Sequence, residues 1–128
     1  MNQFPDQTTH ALLLFAHGSS DPGWAEPFIK LKAAVQAKEP GRKVALAFLE
    51  RMQPTFGETV TALHAEGVRH ITVAPIFLAI GGHMRNDLPK LIEETQARTG
   101  IEFRILPALG EVDSLIETIA DWVVNASQ

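Results

Sequence analysis

Cysteine is absent from all 128 residues. That excludes disulfides, thiolate-bound zinc and a thiol nucleophile, so any metal this chain handles must be held by nitrogen and oxygen. No run of lysine or arginine gathers on one segment, and 11 basic against 15 acidic side chains leave a net charge of −4. The electrostatic footprint of a nucleic-acid binder is missing, and no nucleic-acid partner is expected. No apolar stretch approaches the ~18 residues needed to span a bilayer. The opening residues, MNQFPDQTTH, show neither a basic n-region nor a long apolar h-region. The expectation is a cytoplasmic protein with no membrane partner. Linkers rich in proline, glycine or serine are lacking, as are low-complexity segments. The loops carry no aspartate-rich ligand set for a two-metal hydrolase and no serine nucleophile elbow.

What remains is a composition of 45% hydrophobic and 20% charged residues, that of a folded globular chain. At this length roughly two thirds of the unfolded surface can be buried, enough for one core. The reading is an N-terminal tail over residues 1–10 and a single domain over 11–128. Four apolar runs rich in β-branched or aromatic residues are short enough to be strands: residues 11–16, 44–49, 71–78 and 103–106. Their near-continuous hydrophobicity predicts a parallel sheet covered on both faces.

The segments between them have helical periodicity. Trp24, Phe28, Leu31 and Val35 form one stripe, expected to face the sheet. Phe56, Val60 and Leu63 form a second, opened by Pro54-Thr55 with Glu58 completing a capping box and closed by Gly67. A third helix is expected from about Asn86 to Arg98, with Leu88, Leu91 and Ile92 inward, Pro89 in its first turn and Gly100 at its end. Leu115, Ile116, Ile119 and Val123 define the last, starting near Asp113 or Ser114. The order βαβαβαβα predicts a small doubly wound α/β domain with a four-stranded parallel sheet.

His17, Glu50 and His83 follow one another at intervals of 33 residues. The flanking residues are dissimilar, so the spacing reflects one βα unit per step. All three therefore fall just past the carboxyl ends of the first three strands, the edge where open parallel sheets bind ligands. Each has a plain alternative. His17 in HGSSDPGW could be a loop residue capping a carbonyl, and Glu50 a solvated strand end paired with Arg51. His83 has a sharper setting: Gly81 and Gly82 allow close backbone approach or positive φ, and the helix start that follows favours anions. Together, two imidazoles and a carboxylate suit borderline divalent metals. His64, His70 and His10 read as surface or structural, His10 lying in the tail. The run Ile76, Phe77, Leu78, Ala79, Ile80 with Met84 exceeds one strand's need and suggests a flat apolar cleft or a subunit interface.

The ordered motifs HGS with Asp21-Pro22, AFLE with Pro54, and APIFLAIGGH with Asp87 and Pro89 resemble the small-form sirohydrochlorin cobaltochelatases, short members of the class II tetrapyrrole chelatases. The resemblance runs from about Leu12 to Leu109. It implies a chelatase-like, flavodoxin-like fold and insertion of a divalent metal into sirohydrochlorin in cobalamin biosynthesis. Co²⁺ is the implied substrate metal, with Ni²⁺ or Fe²⁺ as alternatives, and no organic cofactor is expected. It also implies a homodimer that rebuilds the two-half cleft of larger members. His17, His83 and Glu50 match the metal-binding and catalytic positions. Ser19, Gly81, Gly82, Met84, Arg51 and Arg85 are the candidates for holding the carboxylate-rich ring, by guanidinium contact or by helix-start N–H groups. A non-catalytic metal or tetrapyrrole carrier is the competing reading. The chain ends in NASQ, without the histidine-rich tail of some members.

Overall fold

The computed structural model describes residues 9–128, in the order β1 (His10–Ala16), a 3-10 turn (Pro22–Ala25), α1 (Glu26–Lys38), β2 (Lys43–Phe48), α2 (Phe56–Ala65), β3 (His70–Pro75), α3 (Gly82–Thr99), β4 (Glu102–Ile105), a second 3-10 turn (Leu109–Glu111) and α4 (Asp113–Ala126). Most of the expected tail, residues 1–8, lies outside the described residues. The four strands pair in parallel in the order β2-β1-β3-β4. Strand order reverses between β1 and β3, so the crevice beyond their carboxyl ends is the topological switch point.

Register divides the sheet into two faces. Ala11, Leu13 and Phe15 of β1 share a face with Ile71 and Val73 of β3, and this face is buried under Phe56, Val60 and Leu63 of α2 and Leu88 and Ile92 of α3. The opposite face, Leu12, Leu14 and Ala16 with Val44, Leu46 and Phe48, lies under Phe28 and Val35 of α1. Right-handed crossovers require this split, since the chain moves one way from β1 to β2 and the other way thereafter.

The capping box of α2 is formed as the sequence indicates: Thr55 Oγ1 accepts from the Glu58 amide at 3.2 Å, and Glu58 Oε1 accepts from the Thr55 amide at 2.9 Å. Gly67 and Gly100 close α2 and α3 with φ of +91° and +74°, a left-handed conformation that costs other residues strain.

Several elements depart from expectation. β1 begins at His10, which is a strand residue and not part of a tail. β3 stops at Pro75, three residues early. Proline has no N–H to give the ladder, and the segment after it turns so that Phe77 plugs the core while Leu78 is exposed. α3 begins at Gly82 and not near Asn86, which puts Pro89 in its interior. The position is solvent-facing, so the carbonyl left without a donor is within reach of water. Trp24 belongs to the 3-10 turn and is exposed, as is Leu31, so α1 meets the sheet through a narrower stripe than the periodicity suggests. α4 buries none of its residues: Leu115, Ile116, Ile119 and Val123 are all exposed.

Candidate functional site

Four chain segments leave the carboxyl edge side by side, fastened by backbone hydrogen bonds at and just beyond the strand ends. The Leu49 amide donates to the Ala16 carbonyl at 2.8 Å, Ile76 to Phe15 at 2.7 Å, and Leu109 to Phe77 at 2.9 Å. Gly18 brings the first two closer still. A Cβ on it would stand 1.7 Å from the Glu50 carbonyl oxygen, so only glycine lets the loop after β1 cross the end of β2 here. Gly110 plays the same part against the Leu78 carbonyl, where a Cβ would come within 2.1 Å.

That close crossing sets His17 beside Glu50, with His17 Nδ1 3.4 Å from Glu50 Oε1. Both side chains are about half exposed, so they form an ion pair when the imidazole is protonated and stay reachable from solvent. The imidazole lies against the Phe77 ring, centroids 4.6 Å apart and planes tilted by 52°. The Trp24 indole N–H donates to the His17 carbonyl at 2.8 Å and fixes the backbone that carries it. Glu50 Oε2 is shielded from solvent and has no hydrogen-bond partner among the described residues. An imidazole held by a carboxylate on one nitrogen and by an aromatic face on its flank leaves Nε2 as its free donor or acceptor. This is the arrangement in which a carboxylate fixes a histidine's tautomer and ring orientation.

His83 is the second residue of α3 and is exposed; the structure brings it to the same edge but not into contact with His17 or Glu50. Among the described residues, no three of histidine, cysteine, aspartate and glutamate converge to hold a metal ion. Gly81 and Gly82 do not take positive φ and meet no neighbour where a Cβ would stand, so the tight approaches at this edge belong to Gly18 and Gly110. Ser19 Oγ accepts from the Asp21 amide at 3.1 Å and Asp21 Oδ1 from the Gly23 amide at 2.9 Å, an arrangement that shapes the loop. Met84 is half buried against the core. Arg85 reaches back to the Ile80 carbonyl, while Arg51 stands exposed next to Glu50 with a φ of 64°.

The sequence did not single out two features that matter here: the contact of Gly18 with Glu50 and the ring of Phe77 under His17. The first had a signal, a glycine directly after a strand-end histidine. The second had none, because Phe77 reads as one more residue of a long apolar run.

At the other end of the sheet His10, His70 and Glu102 line up across three strands. His10 Nε2 lies 2.9 Å from Thr72 Oγ1, and His70 Nδ1 3.3 Å from Glu102 Oε2. Partial burial, then the charges of Arg42 and His70, hold the His10 pKa below its ordinary value of 6.5 despite an opposing pull from Glu39.

Known proteins resemble this chain in sequence and fold. A sirohydrochlorin cobaltochelatase of Methanococcus aeolicus is 33% identical over 82 residues, 64% of this chain and 57% of the relative. Its namesake in Methanothermobacter thermautotrophicus is 36% identical over 81 residues, 63% of this chain and 56% of the relative. The match thus spans little more than half the length of these curated relatives. The crystal structure of a CbiX protein from Marinobacter aquaeolei VT8 superposes with a TM-score of 0.82 at 35% identity, covering 91% of this chain and 96% of that one. The cobalt complex of the sirohydrochlorin chelatase SirB from Bacillus subtilis subspecies spizizenii shares the fold, with a TM-score of 0.78 at 21% identity over 92% of this chain and 51% of that one. The sequence model of the CbiX family matches residues 11–126, nearly the whole of the described fold, and the chain belongs to that family.

Proposed function

We propose that this protein inserts a divalent metal ion, Co²⁺ first among the candidates, into sirohydrochlorin, acting in the cytoplasm. The observation that carries this is the His17–Glu50 pair, 3.4 Å apart and open to solvent at the carboxyl edge of the sheet. Insertion must bring a partly desolvated M²⁺ to the ring and take away two pyrrole protons as metal–nitrogen bonds form. An imidazole serves both steps, as ligand when neutral and as base afterwards. Glu50 orients His17 and helps receive the proton. His83 supplies a second imidazole from the start of α3, and Ser19, Gly81, Gly82, Met84, Arg51 and Arg85 surround the ring. A site of two or three ligands completed by water holds metal loosely enough for the macrocycle to win it.

The names of the two Methanococcus and Methanothermobacter relatives support the reaction, and the Bacillus chelatase solved with cobalt supports a metal at this fold. This chain covers 51% of the Bacillus chelatase, which supports a homodimer as the working unit.

The test is the change in ring absorbance when protein, sirohydrochlorin and Co²⁺ are mixed. His17→Ala is expected to slow insertion by ~10²–10⁴. Insertion at the parent rate by the His17→Ala/His83→Ala double variant would refute the site. Stoichiometric binding with no second turnover would make the protein a carrier, and competition with Ni²⁺ and Fe²⁺ ranks the metals.

A further inference from the structure

We propose that His10 and His70 form a second divalent-metal site, at the opposite end of the sheet from His17, which takes a borderline first-row cation such as Co²⁺ or Ni²⁺. The two histidines are distant in sequence, and only strand pairing makes them neighbours. They are register partners on the adjacent parallel strands β1 and β3, so their side chains stand on one side of the sheet. Their ring centroids lie 6.3 Å apart, with planes inclined at 61°.

Each ring is held by one nitrogen and free at the other. His10 Nε2 lies 2.9 Å from Thr72 Oγ1, and His70 Nδ1 lies 3.3 Å from Glu102 Oε2. An ionised carboxylate only accepts, so the His70 proton sits on Nδ1 and the lone pair on Nε2. The Thr72 hydroxyl accepts as readily as it donates, and with Nε2–H given to it His10 keeps a lone pair on Nδ1. Metal-binding histidines are held in this manner, one nitrogen donating to an oxygen and the other facing the ion. Glu102 is itself the register partner of His70 on β4, so the ladder that joins the histidines also supplies the anchoring carboxylate.

With metal–nitrogen bonds of about 2.1 Å, two imidazoles on one ion place their ring centres roughly 5–6.5 Å apart. The observed separation lies at the open end of that range, and a small swing of either ring closes it. Both rings are half exposed and line a cavity of about 210 Å³ with Thr72, Glu102, Phe103 and Arg104. Two imidazoles are the protein ligands, and water fills the remaining positions. Arg104 in the cavity and Arg42 near His10 do not draw a cation in, so the metal–nitrogen bonds must hold it. That favours Co²⁺, Ni²⁺, Cu²⁺ or Zn²⁺ over Mg²⁺ and Ca²⁺, which prefer oxygen ligands. Along β1 the chain rises about 3.3 Å per residue, which puts the pair roughly 20 Å from His17, too far for one ion to serve both.

The site rests on strand geometry and is independent of the proposed insertion: a chain that inserts nothing would still bind metal here. The probe is Co²⁺ alone, added to protein isotope-labelled at histidine, because bound Co²⁺ shifts and broadens the magnetic resonance signals of the imidazoles it touches. His10 and His70 are expected to respond together at one Co²⁺ concentration, and to do so equally in the His17→Ala/His83→Ala variant. His70→Asn should remove the His10 response at that concentration, and Glu102→Gln should weaken binding by roughly 10–100-fold. The joint response of the parent protein is decisive even where a variant fails to fold. A response of one ring without the other, no response, or unchanged affinity after Glu102→Gln would each overturn the site.

Discussion

Replacing Gly18 by alanine tests the geometry of the carboxyl edge with a single methyl group. The added Cβ starts 1.7 Å from the Glu50 carbonyl oxygen, and ordinary contact begins at 3.4 Å, so the two backbones must part by about the difference. They are not free to do so, because the Leu49 amide is bonded to the Ala16 carbonyl one residue before His17. Overpacking of this kind costs roughly 1–3 kcal/mol. For a chain of this size that lowers Tm by roughly 3–6 °C per kcal/mol, measured at one fixed protein concentration. The same movement pulls His17 from Glu50, and a misplacement of about 1 Å at a reacting group costs on the order of 10²-fold in rate. Gly57→Ala is the control: nothing lies within 4 Å of that Cβ, and the position is an ordinary helical one in α2. It should gain roughly 0.4–1 kcal/mol. A Gly18→Ala protein that melts with the parent and inserts metal at the parent rate would show that the two segments do not cross as described.

Other consequences are open to measurement. Thr55→Ala removes the hydroxyl that caps α2 and should lower stability by roughly 0.5–2 kcal/mol, read from the urea midpoint at constant slope. Phe15→Ala empties a fully buried site whose ring meets Phe56 and Phe77 at 5.2 and 6.0 Å, and should cost roughly 3–5 kcal/mol. A lowered His10 pKa means the unfolded chain binds the proton more readily than the folded one. Its contribution is therefore whole above pH 6.5 and shrinks as the pH falls from there toward the depressed folded value. In His10→Asn the urea midpoint should fall less between about pH 7.5 and 5.5 than in the parent. An equal fall in both proteins would remove His10 as a cause.

The elements that sequence locates well are those whose signal is local. The capping box of α2 announces itself because both its hydrogen bonds lie within four residues, and Gly67 and Gly100 mark helix ends that need positive φ. The common edge of His17 and Glu50 was also legible, since strand order fixes it. Their contact was not, because it depends on Gly18 passing the end of β2, a meeting of segments about thirty residues apart. The start of α3 was hidden by Pro89, whose penalty inside a helix is borne at an exposed position. α4 misled in another way. Its periodicity correctly marks an amphipathic helix, but periodicity carries no information on which surface receives the apolar side, and that side stands exposed here.

The hydrogen bonds that run on past β2 and β3 make the chain there a stiff extension of the sheet. A ligand received at this edge therefore has little chain to bring to order, and little grip is gained by folding the loops around it. Arrival and departure can both be quick, with residence set by the few atoms in contact. Such an edge suits a substance that is passed along, and would make a poor vault.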